Sequence, residues 1–391
     1  MNRKKICIIS FSKIKWDGRV LREIEFSKKK YDVTVIGFGD WDAPEKVSFI
    51  KIERNVIFPV LKYTLLLIGR FYPKAYMKYF WLKKYYKNTL NILLEKDFDL
   101  VHGNDWDILP IMDRVKERKD PSFIFDAHEY FLSEPKKQFV YNKLMVPYIK
   151  FIMSQFSGKI DRMITVSKGF GDLYRKAFGW EMEVIMSAPS YQNLPFKATS
   201  PDEIKLIYHG HASRPRKLER LILMMPKLDN KYKLFFMLLN MDSFYFRRIK
   251  KLAVKTDSER IIFVKPVMPF EITGRINDFD IGIHLLEGNE ENHLYTLPNK
   301  IFEFMMAGLG ICTYPLPEMK SLIEKYQNGV IPEEENIDLI IDSLNNLSPK
   351  DIDNLKHNSL KMAREINAER EMAKLGSIYT ELLARNQSKI N

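Results

Sequence analysis

Residues 297–309 read LPNKIFEFMMAGL, and this stretch carries more information about the fold than any other part of the chain. Pro298 stands where a helix can begin without losing a backbone hydrogen bond, because the first helical N–H groups have no internal acceptor. Those N–H groups and the positive end of the helix dipole suit a phosphate. Glu303 follows one turn later on the face of Asn299 and Lys300, where a carboxylate accepts hydrogen bonds from sugar hydroxyls. The stretch suits a nucleotide sugar, although a capped helix with a solvated Lys and Glu explains it equally well.

Short apolar runs bounded by small polar residues predict buried parallel strands along most of the chain. In the first half they fall at residues 5–10, 32–37, 47–52, 100–102, 123–126, 163–166 and 184–186. In the second half they fall at 204–209, 233–239, 261–264, 281–285 and 310–313, between helices that include 298–307. Strand, helix and strand with short links indicate doubly wound α/β sheets, whose ligands bind beyond the carboxyl ends of the strands.

An interval rich in proline separates the two series of strands. Residues 189–203 contain Pro189, Pro195 and Pro201 among small polar residues, and this composition is typical of a linker. We therefore expect a first Rossmann-like domain over 1–188 and a second over 204–368, and 391 residues suit two domains of ordinary size. A helical segment, 369–391, ends the chain.

Composition narrows the class of protein. Hydrophobic residues make up 46% of the chain, enough for two cores, and the two cysteines, Cys7 and Cys312, lie in apolar runs that predict buried thiols. No Cys and His cluster has zinc spacing. The apolar run at 6–9 is too short for a signal peptide, and no run approaches the roughly 18 residues that span a bilayer. We expect a cytoplasmic protein, with peripheral attachment to the inner face of the membrane.

The net charge of +12 calls for an anionic partner, and one stretch concentrates it. Residues 54–94 contain no acid, and the acid-free stretch 135–159 adds further lysines. The first stretch carries eight basic residues and ten aromatic ones: Arg54, Lys62, Arg70, Lys74, Lys78, Lys83, Lys84 and Lys87, with Phe58, Tyr63, Phe71, Tyr72, Tyr76, Tyr79, Phe80, Trp81, Tyr85 and Tyr86. The aromatics recur at roughly helical spacing, which favours an anionic membrane surface over nucleic acid. Core helices with solvated lysines are the alternative.

Polar residues follow several predicted strands. Gly210 ends one strand and Arg216 follows it, and a small residue with nearby cations suits a diphosphate, although a basic surface loop gives the same pattern. Asp126 and His128 end another strand, where a catalytic or substrate-orienting group lies in such folds, although a capping Asp with a structural His gives the same pattern. After the first strand, Asp17 is placed to cap a helix, and Arg19 to bind an anion.

The stretch 297–309 resembles the donor-binding helix of retaining glycosyltransferases of the GT-B fold, family-4 type (glycosyl transferases group 1). The resemblance implies that Glu303 holds the ribose, while Pro298, Asn299 and Lys300 bring backbone N–H groups to the diphosphate. The family often has a second Glu eight positions upstream. Tyr295 occupies that position, and Glu290 or Glu291 would have to replace it.

Other segments match the same family. Gly210 matches the start of its diphosphate loop, with His211 at the position of an Arg and Arg216 at that of a Lys. His128, with Glu129 beside it, matches a motif that contacts the transferred sugar or orients the acceptor. Asp105, in a further first-domain motif, would face the acceptor or pack beneath it. Gly18 would lie close to the donor phosphates, whereas 12–15 replaces the usual glycine-rich loop.

The resemblance implies a function: two Rossmann-like domains facing a central cleft, and transfer of a sugar from a UDP- or GDP-sugar to a glycan or lipid-linked acceptor. It also implies retention at the anomeric carbon, a role in bacterial surface polysaccharide synthesis, no cofactor and no strict metal requirement. In that fold the final helix, here 369–391, often crosses back to the first domain. The alternative is a non-catalytic, glycosyltransferase-like subunit that docks on membranes or partners, which Tyr295 and His211 favour and Arg216 and Glu303 oppose.

Overall fold

The computed structural model of the protein describes residues 3–133 and 138–388. The chain forms two compact units. One comprises Met1–Met186, Asn289–Asn292 and Met372–Asn391, and the other Ser187–Gly288 and His293–Glu371. Residues 187–203 contain no helix or strand.

The first unit is built on a seven-stranded parallel sheet in the order β3-β2-β1-β4-β5-β6-β7. The order reverses between β1 and β4, which is where ligands bind in doubly wound sheets. The strands are β1 (Lys5–Lys13), β2 (Asp32–Phe38), β3 (Val47–Lys51), β4 (Leu100–Asn104), β5 (Ser122–Ala127), β6 (Arg162–Thr165) and β7 (Glu183–Val184).

Seven helices connect these strands, and a π-helical segment, Tyr141–Met145, precedes the sixth. Ser167 caps the seventh by accepting from Phe170 N, as its sequence position predicts. The helices are α1 (Gly18–Ser27), α2 (Pro59–Gly69), α3 (Pro73–Trp81), α4 (Lys84–Glu95), α5 (Leu109–Lys116), α6 (Val146–Phe156) and α7 (Lys168–Phe178).

The second unit is built on a six-stranded parallel sheet in the order β10-β9-β8-β11-β12-β13, which reverses between β8 and β11. Its strands are β8 (Ile204–His211), β9 (Tyr232–Leu239), β10 (Ile261–Val264), β11 (Ile281–His284), β12 (Gly310–Thr313) and β13 (Gly329–Val330). The helices of this half of the chain are α8 (Glu219–Met224), α9 (Phe244–Asp257), α10 (Ile272–Ile276), α11 (Glu291–Leu294), α12 (Asn299–Met306), α13 (Pro317–Tyr326), α14 (Ile337–Asn345), α15 (Pro349–Glu365) and α16 (Ala368–Ser388). The start of α11 and all of α16 from Met372 onward belong to the first unit.

Helix α16 contributes to the core of the first unit. Leu375, Ile378 and Tyr379 pack in one buried cluster with Ile8 of β1 and Leu100 of β4. Burying apolar side chains against a sheet face is the main stabilising term for such a helix.

One glycine fixes the position of α12 on the second sheet. A Cβ atom on Gly282 of β11 would lie 2.2 Å from the Phe304 ring, so the helix sits closer to the strand than any other residue would allow. This close packing brings the first turn of α12 toward the carboxyl end of β8.

The predicted strands are present, with small differences in length. Strand β1 continues to Lys13 and β8 to His211, and β13 (Gly329–Val330) was not predicted because two residues give no periodic signal. Cys7 and Cys312 are buried thiols, as predicted, and burial raises the pKa of both. Among the described residues, no helix is both long enough and apolar enough to cross a bilayer.

Candidate functional site

The start of α12 differs by one residue from the predicted helix. Pro298 has extended backbone (φ −69°, ψ 146°) and is the N-cap, so the helix begins at Asn299 and not at Pro298. Ile301 N donates to Pro298 O at 3.0 Å. The N–H groups of Asn299 and Lys300 therefore open the helix, at the positive end of its dipole.

Glu303 lies beside a histidine that the sequence analysis did not select. His209 Nε2, on β8, lies 3.3 Å from Glu303 Oε2, and 17% of the Glu303 side chain is exposed. Burial and the charge of Lys300 lower the pKa of His209 to about 3, so its ring is neutral at pH 7. A partly exposed carboxylate can accept hydrogen bonds from vicinal hydroxyl groups.

Gly210 and Lys300 are in close contact. Gly210 has φ +124°, and a Cβ atom there would lie 2.9 Å from Lys300 Cε. Only glycine satisfies both the backbone conformation and the space that Lys300 occupies. The carboxyl end of β8 thus lies against the lysine in the first turn of α12.

Arg216 and Lys300 bring two positive charges to the same place. Burial and the charge of Arg216 lower the pKa of Lys300 to about 8, against the opposing effect of Glu303. Two like charges that lie this close are stabilised by a bound anion. By contrast, Lys217 and Arg220 are both paired with Glu287, which takes them out of the candidate anion site.

A buried histidine borders the Arg216 side of this site. His284 of β11 lines a small cavity with Tyr208 and Arg216, and neither ring nitrogen has a hydrogen-bond partner among the described residues. Burial and the neighbouring cations hold its pKa well below the usual value, so it is neutral.

Two sequence-predicted positions near the site have other partners. His211 is exposed, and its Nδ1 lies 3.2 Å from Asn240 Nδ2. Glu291, one of two candidate replacements for the upstream Glu, accepts from Ser133 Oγ at 3.2 Å in the first unit.

In the first unit, the ends of β4 and β5 bring Asp105 and His128 together. His128 Nδ1 lies 3.1 Å from Asp105 Oδ1, and both side chains are about one-third exposed or less. Burial raises the pKa of Asp105 to about 7, against the lowering effect of His128. Burial alone would lower the pKa of His128, but Asp105, Asp126 and Glu129 outweigh it and raise that pKa. Each group therefore shifts the pKa of the other.

Asp105 is also strained. Its backbone has φ 72° and ψ 160°, a region almost confined to glycine, and its N–H donates to Asp126 O at 3.0 Å. A non-glycine residue there costs on the order of 1–3 kcal/mol, and such outliers cluster at functional sites. The backbone strain at Asp105 indicates that its carboxylate has a functional role, because a residue without one would not be expected at a position that costs stability.

The remaining first-unit candidates have simpler surroundings. The Glu129 side chain is exposed, while its carbonyl oxygen accepts from the Tyr174 hydroxyl at 2.7 Å. Gly18 is the first residue of α1, and Asp17 caps that helix by accepting from Val20 N at 3.2 Å, as predicted.

The prediction that Arg19 binds an external anion is wrong, because Arg19 is buried in an ion network. It makes two hydrogen bonds to Asp126, at 2.7 and 3.0 Å, and lies 3.6 Å from Glu23. His102 Nε2 is 3.5 Å from Asp126, and its Nδ1 is 2.7 Å from the Tyr379 hydroxyl of α16. Arg19 and Glu23 stand four residues apart beside Val20 and Ile24, so the helical period could have placed them on the buried face.

Glu23, His102 and Asp126 also form a possible metal-ligand set, since one ligand atom of each lies within 4.8 Å of the others. Both Asp126 oxygens already accept from Arg19, whose positive charge opposes a cation. The described geometry therefore fits an internal ion network better than a metal site.

The two parallel sheets, each with polar groups beyond its switch point, define a class of doubly wound α/β proteins with two units. Residues 24–187 match the family model for Glycosyltransferase Family 4. No curated protein sequence matches the chain.

Solved structures match nearly the whole chain. Sucrose-phosphate synthase from Thermosynechococcus elongatus is 14% identical, with a TM-score of 0.71 over 98% of this chain and 100% of that one. WaaG, a glycosyltransferase involved in lipopolysaccharide biosynthesis, is 14% identical, with a TM-score of 0.67 over 95% and 99%. HepE from Anabaena, in complex with UDP and glucose, is 14% identical, with a TM-score of 0.68 over 97% and 100%.

These findings confirm the resemblance that the sequence indicated. The chain has the GT-B fold, and its first unit matches glycosyltransferase family 4. The family model is one of glycosyltransferases and WaaG is a glycosyltransferase by name, which agrees with the predicted enzyme class.

Proposed function

We propose that the chain transfers a sugar from a nucleoside diphosphate sugar, a UDP- or GDP-sugar, to a glycan or lipid-linked acceptor. The observation that carries the proposal is the arrangement around Gly210 in the second unit. Lys300 and Arg216 supply positive charge beside the first turn of α12, and Glu303 lies one turn further along the helix. A diphosphate and a ribose, joined as in a nucleotide, match that order of groups.

Each part of the site has a task in this proposal. Lys300, Arg216 and the helix N–H groups stabilise the negative charge that develops on the leaving diphosphate. Asp105 and His128 orient the acceptor or the transferred sugar and exchange a proton with it. Retention follows the family resemblance, and it needs no protein nucleophile. A role in bacterial surface polysaccharide synthesis agrees with the neighbours, since WaaG takes part in lipopolysaccharide biosynthesis.

Glu303→Gln and Arg216→Ala should each weaken binding of the nucleoside diphosphate while the fold survives. Loss of one charge-assisted hydrogen bond costs on the order of 1.5–3 kcal/mol, which is about 10- to 150-fold in affinity. Isothermal titration calorimetry with UDP and GDP measures the effect. Because bound phosphate raises the depressed pKa of Lys300, binding takes up a proton, and wild-type affinity should fall as the pH rises above about 8.

Lys217→Gln is the matched control for Arg216→Ala, because Lys217 is a neighbouring cation that pairs with Glu287. Its nucleotide affinity should stay close to that of the wild type. If nucleotide affinity is unchanged in both Glu303→Gln and Arg216→Ala, the nucleotide does not bind at this site.

We also propose that the first unit attaches to an anionic membrane through α2. This helix is apolar on nearly all sides, and an exposed apolar face is rare on a protein that meets only water. The exposed residues on and beside it are Phe58, Val60, Leu61, Tyr63, Leu67, Ile68, Phe71 and Tyr72, and Phe139 and Val140 are exposed beside the π-helical segment that contacts α2.

The basic aromatic stretch is only partly a surface. Tyr76, Tyr79, Phe80 and Tyr86 are buried, so these rings belong to the core and not to a membrane face. Lys83 stacks on the Tyr79 and Tyr86 rings, and burial lowers its pKa to about 8, so it is not a membrane contact either. Of the second acid-free stretch, 135–137 lie outside the described residues.

Leu67→Glu with Phe71→Glu should release the protein from vesicles that contain anionic lipid, measured by co-sedimentation. These side chains are 54% and 77% exposed, so the change adds charge where apolar contact is proposed without disturbing the core. Binding should fall as salt rises, since each nearby Lys or Arg contributes roughly 1 kcal/mol at an anionic surface. Phe244→Glu, at a 68% exposed position in the second unit, should bind like the wild type. A wild type that stays in the supernatant at low salt would overturn the membrane proposal.

A non-catalytic, glycosyltransferase-like subunit is the second candidate. Tyr295 in place of the upstream Glu and His211 in place of an Arg favour it. It predicts either no nucleotide binding or binding without turnover of any nucleotide sugar.

A further inference from the structure

A large groove lies between α3 and α6 of the first unit, away from the residues assigned above. Its volume is about 780 Å³, within the range of small-molecule sites. One face of α3 lines it, because Lys74, Met77, Lys78 and Trp81 stand at helical spacings of three and four residues. Phe151 and Phe156 of α6 complete an apolar floor.

The charges around the groove have one sign. Lys74, Lys78 and Lys87 line it and are exposed, while its lining contains no Asp or Glu. In the part of the chain that the structure describes, none of the three forms an ion pair within 4 Å. An apolar floor with a cationic edge matches an amphiphile that has an apolar tail and a negatively charged head.

Trp81 adds an unsatisfied donor. Its indole Nε1 is buried and has no hydrogen-bond acceptor among the described residues, while Arg114 lies 4.0 Å from the ring centroid. A buried indole N–H usually finds a partner. The Trp81 side chain itself lines the groove and adds apolar surface to it.

The groove continues from the proposed membrane face. Pro73 lines it and follows directly on Phe71 and Tyr72, which are both exposed. Helix α2 packs on α3, and α3 lines the groove, so the groove lies beside the proposed membrane face.

We infer that the groove between α3 and α6 binds one anionic membrane phospholipid, with an acyl segment on Met77, Trp81 and Phe151 and the negatively charged headgroup on Lys74 and Lys78. The inference rests on the membrane attachment proposed above and makes it specific. A nucleic acid or an acidic peptide would contact the lysines and leave the apolar floor without a partner. The lipid uses both.

The test uses a lipid that is monomeric in solution, so that it reports the groove and not the bilayer. Dihexanoyl phosphatidylglycerol, below its critical micelle concentration, is titrated into the full chain by calorimetry. It should bind, and glycerol 3-phosphate and dihexanoyl phosphatidylcholine should each bind at least about tenfold more weakly, because one lacks the tail and the other the net charge.

Two variants separate the parts of the site. Lys78→Gln should weaken phosphatidylglycerol binding about 10-fold or more, as expected for the loss of a charge-assisted contact. Met77→Trp should fill the groove and remove binding. The control is Lys84→Gln, an exposed lysine that does not line the groove, and it should bind like the wild type.

Each other outcome overturns the inference. Equal binding of glycerol 3-phosphate would show that the apolar floor is not used, and equal binding of phosphatidylcholine would show that the net negative charge is not recognised. Binding that survives Met77→Trp would place the lipid elsewhere. The titration contains no nucleotide, so it tests the lipid site separately from the proposed transferase function. A protein that binds this lipid but no nucleoside diphosphate would support the lipid site and contradict the transferase function. A protein that binds a nucleoside diphosphate but not this lipid would contradict the lipid site only.

Discussion

Replacing His128 by alanine should lower kcat by about 10²- to 10⁴-fold, the usual contribution of a positioned acid or base. The physical reason is the pair it forms with Asp105, whose Oδ1 lies 3.1 Å from His128 Nδ1. Nucleoside diphosphate affinity should stay close to the wild-type value, because the proposed nucleotide residues lie in the second unit. Steady-state kinetics together with calorimetric titration separate the two effects.

Glu129→Gln is the matched control for this prediction. Glu129 stands next in sequence, yet its side chain is exposed, so its loss should leave kcat nearly unchanged. Near-normal turnover of His128→Ala would give this histidine a structural role only.

The pH profile gives a second view of the same pair. Because burial raises the pKa of Asp105 to about 7, its carboxylate forms as the pH rises through neutrality. If the ionised form accepts the proton, wild-type kcat should rise over that range, and Asp105→Asn should abolish the rise.

Asp126→Asn should lower the free energy of unfolding by about 3–5 kcal/mol, the usual effect of removing one partner from a buried ion pair. Asp126 is fully buried and receives two hydrogen bonds from Arg19. The substitution leaves the buried guanidinium without its carboxylate. Urea denaturation, followed by circular dichroism, measures the change.

The double variant Arg19→Met with Asp126→Leu is the control, since replacing both charges by apolar groups is often nearly neutral. Arg19 and His102 outweigh burial and hold the pKa of Asp126 below its ordinary value of 3.8. Its contribution to stability is therefore present at neutral pH and is lost in acid, below about pH 3.8. An Asp126→Asn protein as stable as the wild type would show that the network is not needed for the fold.

The fold could be predicted from the sequence because both sheets are buried on both faces. Such strands are short, continuous apolar runs, and the runs at 5–10, 204–209 and 310–313 mark β1, β8 and β12 directly. Strand β13 has two residues and no such signal.

The site was predictable where it depends on local spacing and not where it depends on packing. Lys300 and Glu303 lie in one helix, so their relation follows from the helical period. His209 and His284 come from different strands, and only the sheet order brings both toward α12. The buried ion network needed tertiary information, because Arg19 and Asp126 are far apart in sequence.

The basic aromatic stretch 54–94 shows the same limit. Its composition indicates a membrane surface, but composition does not distinguish exposed Phe71 from buried Phe80. Tyr76, Tyr79 and Phe80 of α3 are buried, whereas the apolar residues on and beside α2 are largely exposed. Which of the two helices faces solvent depends on how the helices pack, and composition does not give that packing.

A thermal-shift titration of the wild-type protein with UDP, GDP and ADP tests the central claim most directly. A ligand that binds only the folded protein stabilises it by about 2.7 kcal/mol at a concentration 100 times Kd. We predict that UDP or GDP raises Tm in a concentration-dependent way, and that Glu303→Gln loses most of the shift. If none of the three nucleotides raises Tm at millimolar concentration, the arrangement around Gly210, Lys300 and Glu303 is not a nucleotide site, and the proposed sugar transfer is wrong.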